Sequence, residues 1–89
     1  MAPSVYPAIY LSVIIHRNGT STEEGIRIAF PESMEIADFL TMAAMKLGVP
    51  TTLSRIFTRS GGEISSLDEI IQDDALWLSD GAEFSYPTL

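Results

Sequence analysis

Residues 33–50 read SMEIADFLTMAAMKLGVP, and this stretch decides the fold. Ile36, Phe39, Leu40, Ala43 and Leu47 recur at i, i+3, i+4, i+7 and i+11, which puts them on one face of a helix. Ser33 is the expected N-cap, and Glu35 is expected in the first turn, where negative charge meets the positive end of the helix dipole. Lys46 stands near the C-terminus, Gly48 suits the left-handed residue that ends a helix, and Pro50 prevents continuation. Met34, Met42 and Met45 lie beside the apolar face and are expected to fill the edge of the core.

A helix with one apolar face needs a partner surface, and the flanking sequence supplies strands. Upstream, Ile9, Leu11, Val13 and Ile15 alternate with Tyr10, Ser12, Ile14 and His16, the period of two that marks a strand. Ile14 on the second face points to a central position in the sheet. Asn18-Gly19 is a turn signal. Residues 20–24 and Gly25 lengthen the loop, and Ile26, Ile28 and Phe30 form the returning strand, stopped by Pro31. Downstream, residues 54–59 read as a third strand. Gly61-Gly62 reads as a turn and residues 63–65 as a very short fourth strand. Residues 67–71 are too short for an ordinary helix and read as one 3₁₀-like turn that packs Leu67 and Ile70 or Ile71 inward. Asp73-Asp74 is a loop, and residues 75–79 are the last strand, ended by Asp80-Gly81. The near-continuous apolar run Ala75-Leu76-Trp77-Leu78 suits a buried strand, parallel to the first and beside it.

The expected class is therefore α+β: a ββαβββ mixed sheet with one helix packed across it, the order of a β-grasp (ubiquitin-like) fold. Residues 1–7, with two prolines, read as a flexible leader, residues 8–86 as a single domain, and residues 87–89 as a tail. The expected core is Val13, Ile15, Ile28, Ile36, Phe39, Leu40, Ala43, Leu47, Ile56, Leu67, Leu76 and Leu78.

Composition narrows the function. Eighty-nine residues make one domain with a modest core. An apolar fraction of 46% argues against disorder despite a net charge of −7. Five basic residues against twelve acidic ones disfavour phosphate backbones and anionic lipid, so neither nucleic acid nor a membrane surface is expected as partner. The apolar stretch 8–15 has no Lys or Arg before it and is too short to span a bilayer. The absence of cysteine removes disulfides and thiolate chemistry and fits a reducing, cytoplasmic setting.

Nor do the residues compose a reaction centre. His16 is the one histidine, and its place before a hairpin turn makes it an expected surface residue. It is too little for a metal site without cysteines. The carboxylates Asp68, Glu69, Asp73 and Asp74 lack the alternating ligands, glycine and bidentate glutamate of a calcium loop. Ser60-Gly61-Gly62-Glu63 has no following lysine or helix to cradle phosphate. No catalytic residue, metal or cofactor is expected, and the chain reads as non-enzymatic. Its C-terminus lacks the free Gly-Gly of a conjugated modifier.

His16-Arg17-Asn18-Gly19 and Gly25-Ile26-Arg27-Ile28 resemble the opening hairpin of doublecortin-type domains. Arg55-Ile56-Phe57-Thr58, Gly62-Glu63-Ile64, Ser66-Leu67-Asp68-Glu69-Ile70 and Gly81-Ala82-Glu83-Phe84 follow in that family's order. Phe39-Leu40 through Met45-Lys46-Leu47-Gly48, with Ile71-Gln72-Asp73-Asp74, is also similar to the KHA domain of plant potassium channels and certain tetramerisation-domain adaptors. The resemblance covers about residues 13–84. It implies the β-grasp and a terminal module of a larger intracellular protein, used for self-association or scaffold contacts. The alternative it implies, a microtubule-associated domain of the cytoskeleton, is opposed by the charge: doublecortin domains that bind acidic tubulin are basic, and this chain is not.

Two contact surfaces are expected. If Leu76 and Leu78 face the helix, Trp77 faces away. The same phase turns Ile14 and Phe57 outward, so Ile14, Phe57 and Trp77 should meet on the open face of the sheet as a protein-binding patch. The leader, with Tyr6 and Pro7, is the segment expected to cover it if anything does. Separately, a basic set (Arg17, Arg27, Arg55 and Arg59) and an acidic set (Asp68, Glu69, Asp73 and Asp74) would join copies head to tail if they lay on opposite faces.

Overall fold

The alternation between 9 and 16 is realised as a strand, β1 (Tyr10–Arg17), returned through the Asn18-Gly19 turn by β2 (Ile26–Pro31). The computed structural model describes residues 9–20 and 25–86. After β2 come helix α1 (Ile36–Leu47), β3 (Arg55–Thr58), β4 (Glu63–Ile64), a 3₁₀ turn (Leu67–Glu69) and β5 (Ala75–Ser79). The sheet order is β2-β1-β5-β3-β4. β5 runs parallel to β1, with Ile15 beside Leu76 and His16 beside Trp77, while the other pairs are antiparallel. The molecule is thus an α+β protein with one helix packed on a five-stranded mixed sheet.

Between sheet and helix lie Val13, Ile15, Ile28, Phe30, Phe39, Ala43, Leu53, Ile56, Ile64, Leu67, Ile70, Leu76 and Leu78, all buried. Ile36, Leu40 and Leu47, expected fully inside, are partly buried at the edge of this core, as are Met34 and Met42. Met45 instead stands 77% exposed. Phe30 meets Phe39 edge to face at 4.8 Å, so the returning strand and the helix share their largest side chains.

The helix starts differently from expectation. Met34 N–H donates to the Pro31 carbonyl at 2.9 Å, which spends Ser33 in a turn two residues ahead. Glu35 becomes the N-cap, in extended conformation and without a side-chain capping bond, and Asp38 supplies the first-turn acid. The end is as read: Gly48 adopts φ 69°, with its N–H turned to the last carbonyls of α1. The capping device appears at the 3₁₀ turn instead. Ser66 accepts from Asp68 N–H, and the Glu69 carboxylate reaches back to Ser66 N–H at 3.0 Å.

Gly25 opens β2 against the open face. A Cβ there would overlap Ile14 Cγ2 and stand 2.5 Å from His16 Nε2. Gly25→Ala is therefore expected to destabilise the domain by about 1–3 kcal/mol through overpacking. Chemical denaturation checks this: a lower midpoint at unchanged slope is expected.

Candidate contact surface

The open face of the sheet carries His16 on β1, Trp77 on β5 and Phe57 on β3, side by side in register. Trp77 and Phe57 project from the face opposite the helix, as the strand phase requires, but they are buried. This corrects the expectation of an exposed Ile14–Phe57–Trp77 patch. Ile14 pairs with Ala75, one step of the pleat away from Trp77, and is only partly buried. The position beside Trp77 belongs to His16. That residue is also not on the surface: it is 1% exposed, stacked on the Trp77 ring with centroids 4.1 Å apart and planes at 7°. Its Nδ1 donates to the Leu76 carbonyl at 3.2 Å. A polar ring next to a turn is buried here because the neighbouring indole offers it a flat apolar surface.

The cover is residues 82–86, which leave β5 through Asp80-Gly81 and run back across the sheet. Phe84 packs against Phe57, with centroids 5.4 Å apart, and edge-on to Trp77 at 6.5 Å. Tyr86 packs edge-on to Phe84 at 4.8 Å. Asn18 fastens the backbone on both sides of Phe84: its Nδ2 donates to the Glu83 carbonyl, and its Oδ1 accepts from Ser85 N–H, each at 2.9 Å. One side-chain amide thereby imitates the donor–acceptor pair of a neighbouring strand. The Trp77 indole N–H donates to the Thr20 carbonyl at 3.2 Å, so the hairpin end closes the remaining side. The leader lies outside the described residues.

Arg55 is the electrostatic anchor. Its Nε and Nη2 grip the two Glu63 oxygens at 3.0 and 2.8 Å, and its Nη1 reaches Glu83 Oε2 at 3.1 Å and the Gly81 carbonyl at 3.2 Å. The guanidinium also lies 4.9 Å from the centre of the Phe57 ring. Hydrogen bonding from Arg55 holds the Glu63 carboxyl below its ordinary value, with burial opposing. Bonds to Glu63 first, then Glu83, raise the Arg55 pKa further above its already high ordinary value. Only the carboxylate titrates in an accessible range. Its stabilisation is complete above the ordinary value of 4.5 and disappears as pH falls through the lower folded value. Glu63→Gln should therefore flatten the acid limb of stability below about pH 5. Melting temperatures measured from pH 7 to pH 3 give the comparison, and parallel acid limbs would remove Glu63 from the account.

The two charged sets are not wholly separate. Arg27 bonds Asp73 within one chain, at 2.9 Å, because the loop before β5 runs beside β1: Asp73 N–H donates to the Ser12 carbonyl. Arg55 is committed to Glu63 and Glu83. Glu69 caps the 3₁₀ turn, and Asp74 accepts from Ile71 N–H at 3.0 Å. Of the acidic set, Asp68 is exposed, with its backbone N–H donating to Ser66 Oγ. Arg17 and Arg59 are exposed. Local structure thus employs most of the charges expected to join copies.

Sequence reading missed Asn18 as a clamp and Glu83-Phe84 as a cover. The available signal was Phe84 and Tyr86 at alternate positions after a Gly, a period that places both side chains on one surface. Elsewhere, an uncharged groove runs between α1 and residues 49–54, lined by Ile36, Leu40, Ala44, Met45, Val49 and Leu53 among others. Among the described residues, no three His, Asp or Glu side chains are grouped to hold a metal ion, and no helix is long and apolar enough to cross a membrane. Compared with known proteins, the chain matches no family model and no curated protein sequence.

Proposed function

We propose that this chain is a non-enzymatic β-grasp contact module, of doublecortin-like or KHA-type ancestry, that binds extended peptide segments on the open face of its sheet. The sheet order and the parallel β1–β5 pair support the β-grasp reading. The observation that carries the contact reading is the seat of residues 82–86. A segment outside the strands and the helix is recognised by an Asn18 clamp, an Arg55 anchor and an aromatic shelf of Phe57 and Trp77. These are the parts of a peptide site: backbone bonds that fix register, a charge partner, and a pocket for one large side chain. In the chain as it stands, its own segment fills the site. Ile14, two residues from His16 along β1 and partly buried, is the next side chain of the open face.

In a host protein this module serves self-association or scaffold contacts in the cytoplasm. A tubulin-binding role is the second reading, supported by the doublecortin resemblance alone and opposed by the charge of −7.

The test uses the Phe84→Ala chain, which vacates the shelf, and a peptide of residues 81–86, Gly-Ala-Glu-Phe-Ser-Tyr. Titration should change the emission of Trp77, the only tryptophan, in a saturable way. Asn18→Ala in the same background should weaken binding at least about fivefold, the effect of losing roughly 1 kcal/mol of hydrogen bonding. A peptide that leaves Trp77 unchanged at millimolar concentration would refute the peptide-site reading.

A further inference from the structure

We propose that residues 82–86 also dock in trans, so that two copies exchange these straps and form a closed two-fold dimer. This deepens the contact reading and rests on it: the partner becomes a second copy of the chain.

The strap's anchoring contacts divide in two. Those to Asn18, Arg55, Phe57 and Trp77 are made with the body of the domain. A second copy offers the same groups in the same places, so exchange keeps every one of these bonds. Only the hinge distinguishes docking within a chain from docking between chains. There the buried Ser79 hydroxyl donates to the Ala82 carbonyl at 2.7 Å and accepts from Gly81 N–H at 3.1 Å. Gly81 itself holds φ 132°, a conformation that residues with a Cβ rarely adopt. The closed turn therefore depends on one hydroxyl and one glycine. When the same two copies exchange straps reciprocally, both faces are filled and the pair closes on itself, whereas a strap passed on to a third copy would run on into a chain.

Two opposing effects set the balance. A short tether presents the strap to its own face at an effective concentration on the order of millimolar, so the monomer prevails in dilute solution. An open strap exposes Trp77 and Phe57 to water, so an open monomer is a poor resting state, and a strap that cannot close in its own chain goes to a neighbour. A host that gathers several copies reaches the concentration at which exchange competes.

Sedimentation velocity on the 89-residue chain tests this, at concentrations from about 10 μM to 1 mM, a range that reaches the tether's effective concentration. The wild type should be monomeric at the low end, with dimer growing toward the high end. Gly81→Val, which disfavours the closed turn, should dimerise at concentrations at least about tenfold lower, with Trp77 still shielded from quenchers. Gly81→Val combined with Phe84→Ala should be monomeric. A Gly81→Val chain that stays monomeric overturns the proposal, whether Trp77 is shielded or open. So does a dimer that survives Phe84→Ala. Should Gly81→Val fail to fold, a millimolar mixture of differently isotope-labelled wild-type chains decides. Contacts between Phe84 of one copy and Trp77 of the other are expected, and their absence rejects exchange. If the free peptide binds the Phe84→Ala chain while no dimer forms, exchange alone is rejected. If neither occurs, the peptide-site reading fails with it.

Discussion

Trp77→Ala should leave the domain with little of its stability. The indole is fully buried between the stacked His16 ring on one side and Phe57 and Phe84 on the other, with its N–H bonded to the Thr20 carbonyl. Removing it deletes the largest buried side chain in the described structure and leaves the open face without its centre. Truncations of this kind cost about 3–5 kcal/mol, against a total stability that for a small domain lies near the lower part of about 5–15 kcal/mol. Thermal melting followed by far-ultraviolet circular dichroism is the measurement. A fall of roughly 15 °C or more is expected, since each kcal/mol shifts a domain of this size by about 4–8 °C. A melting temperature within a few degrees of wild type would mean that the open-face cluster is not a second core.

Phe39→Ala strikes the other side of the sheet and should cost about the same, roughly 3–5 kcal/mol. Phe39 is fully buried on α1 and meets the Phe30 ring at 4.8 Å, so truncation removes both its own burial and an aromatic pair. The two variants separate by their optical signatures. Phe39→Ala, where folded, should keep the buried emission of Trp77, because the sheet lies between the two clusters. An unaltered melting temperature would show that the helix face is wrongly assigned.

The face toward the helix was legible because its rules are local. The i, i+3, i+4 spacing of Ile36, Phe39, Leu40 and Ala43 and the alternation along β1 each name a buried side without reference to the other. The run Ala75-Leu76-Trp77-Leu78 marked β5 as a central strand for the same reason: both of its faces are covered. The phase of Trp77 was likewise readable from period two. What covers Trp77 was not, because the alternation of Phe84 and Tyr86 does not say which surface they meet, and the strap binds groups far away in sequence, with Asn18 65 residues from Glu83. His16 was misplaced for a related reason. Before a turn, a histidine is ordinarily solvated, and only the parallel pairing of β1 with β5 sets an indole beside it. The charges misled by proximity in space: Arg27 and Asp73 are 46 residues apart, yet β1 and the loop before β5 bring them together.

On the contact reading proposed above, a strap over an aromatic face reconciles two conflicting properties. The site must be apolar to bind, and apolar surface left in water invites aggregation. Filling it with a tethered segment resolves the conflict, and the tether sets a threshold that an incoming ligand must exceed. On the same reading the anchor at Arg55 would add selectivity, since an occupant lacking an acid at the Glu83 position leaves the guanidinium with one partner fewer.

The central claim is that residues 82–86 shield the open face, and quenching of Trp77 fluorescence by acrylamide measures this directly. Wild type should show blue-shifted emission and weak quenching. Phe84→Ala should shift the emission to the red and quench several-fold more strongly, while still melting cooperatively on its intact helix-side core. Equal quenching of the two chains would contradict the account.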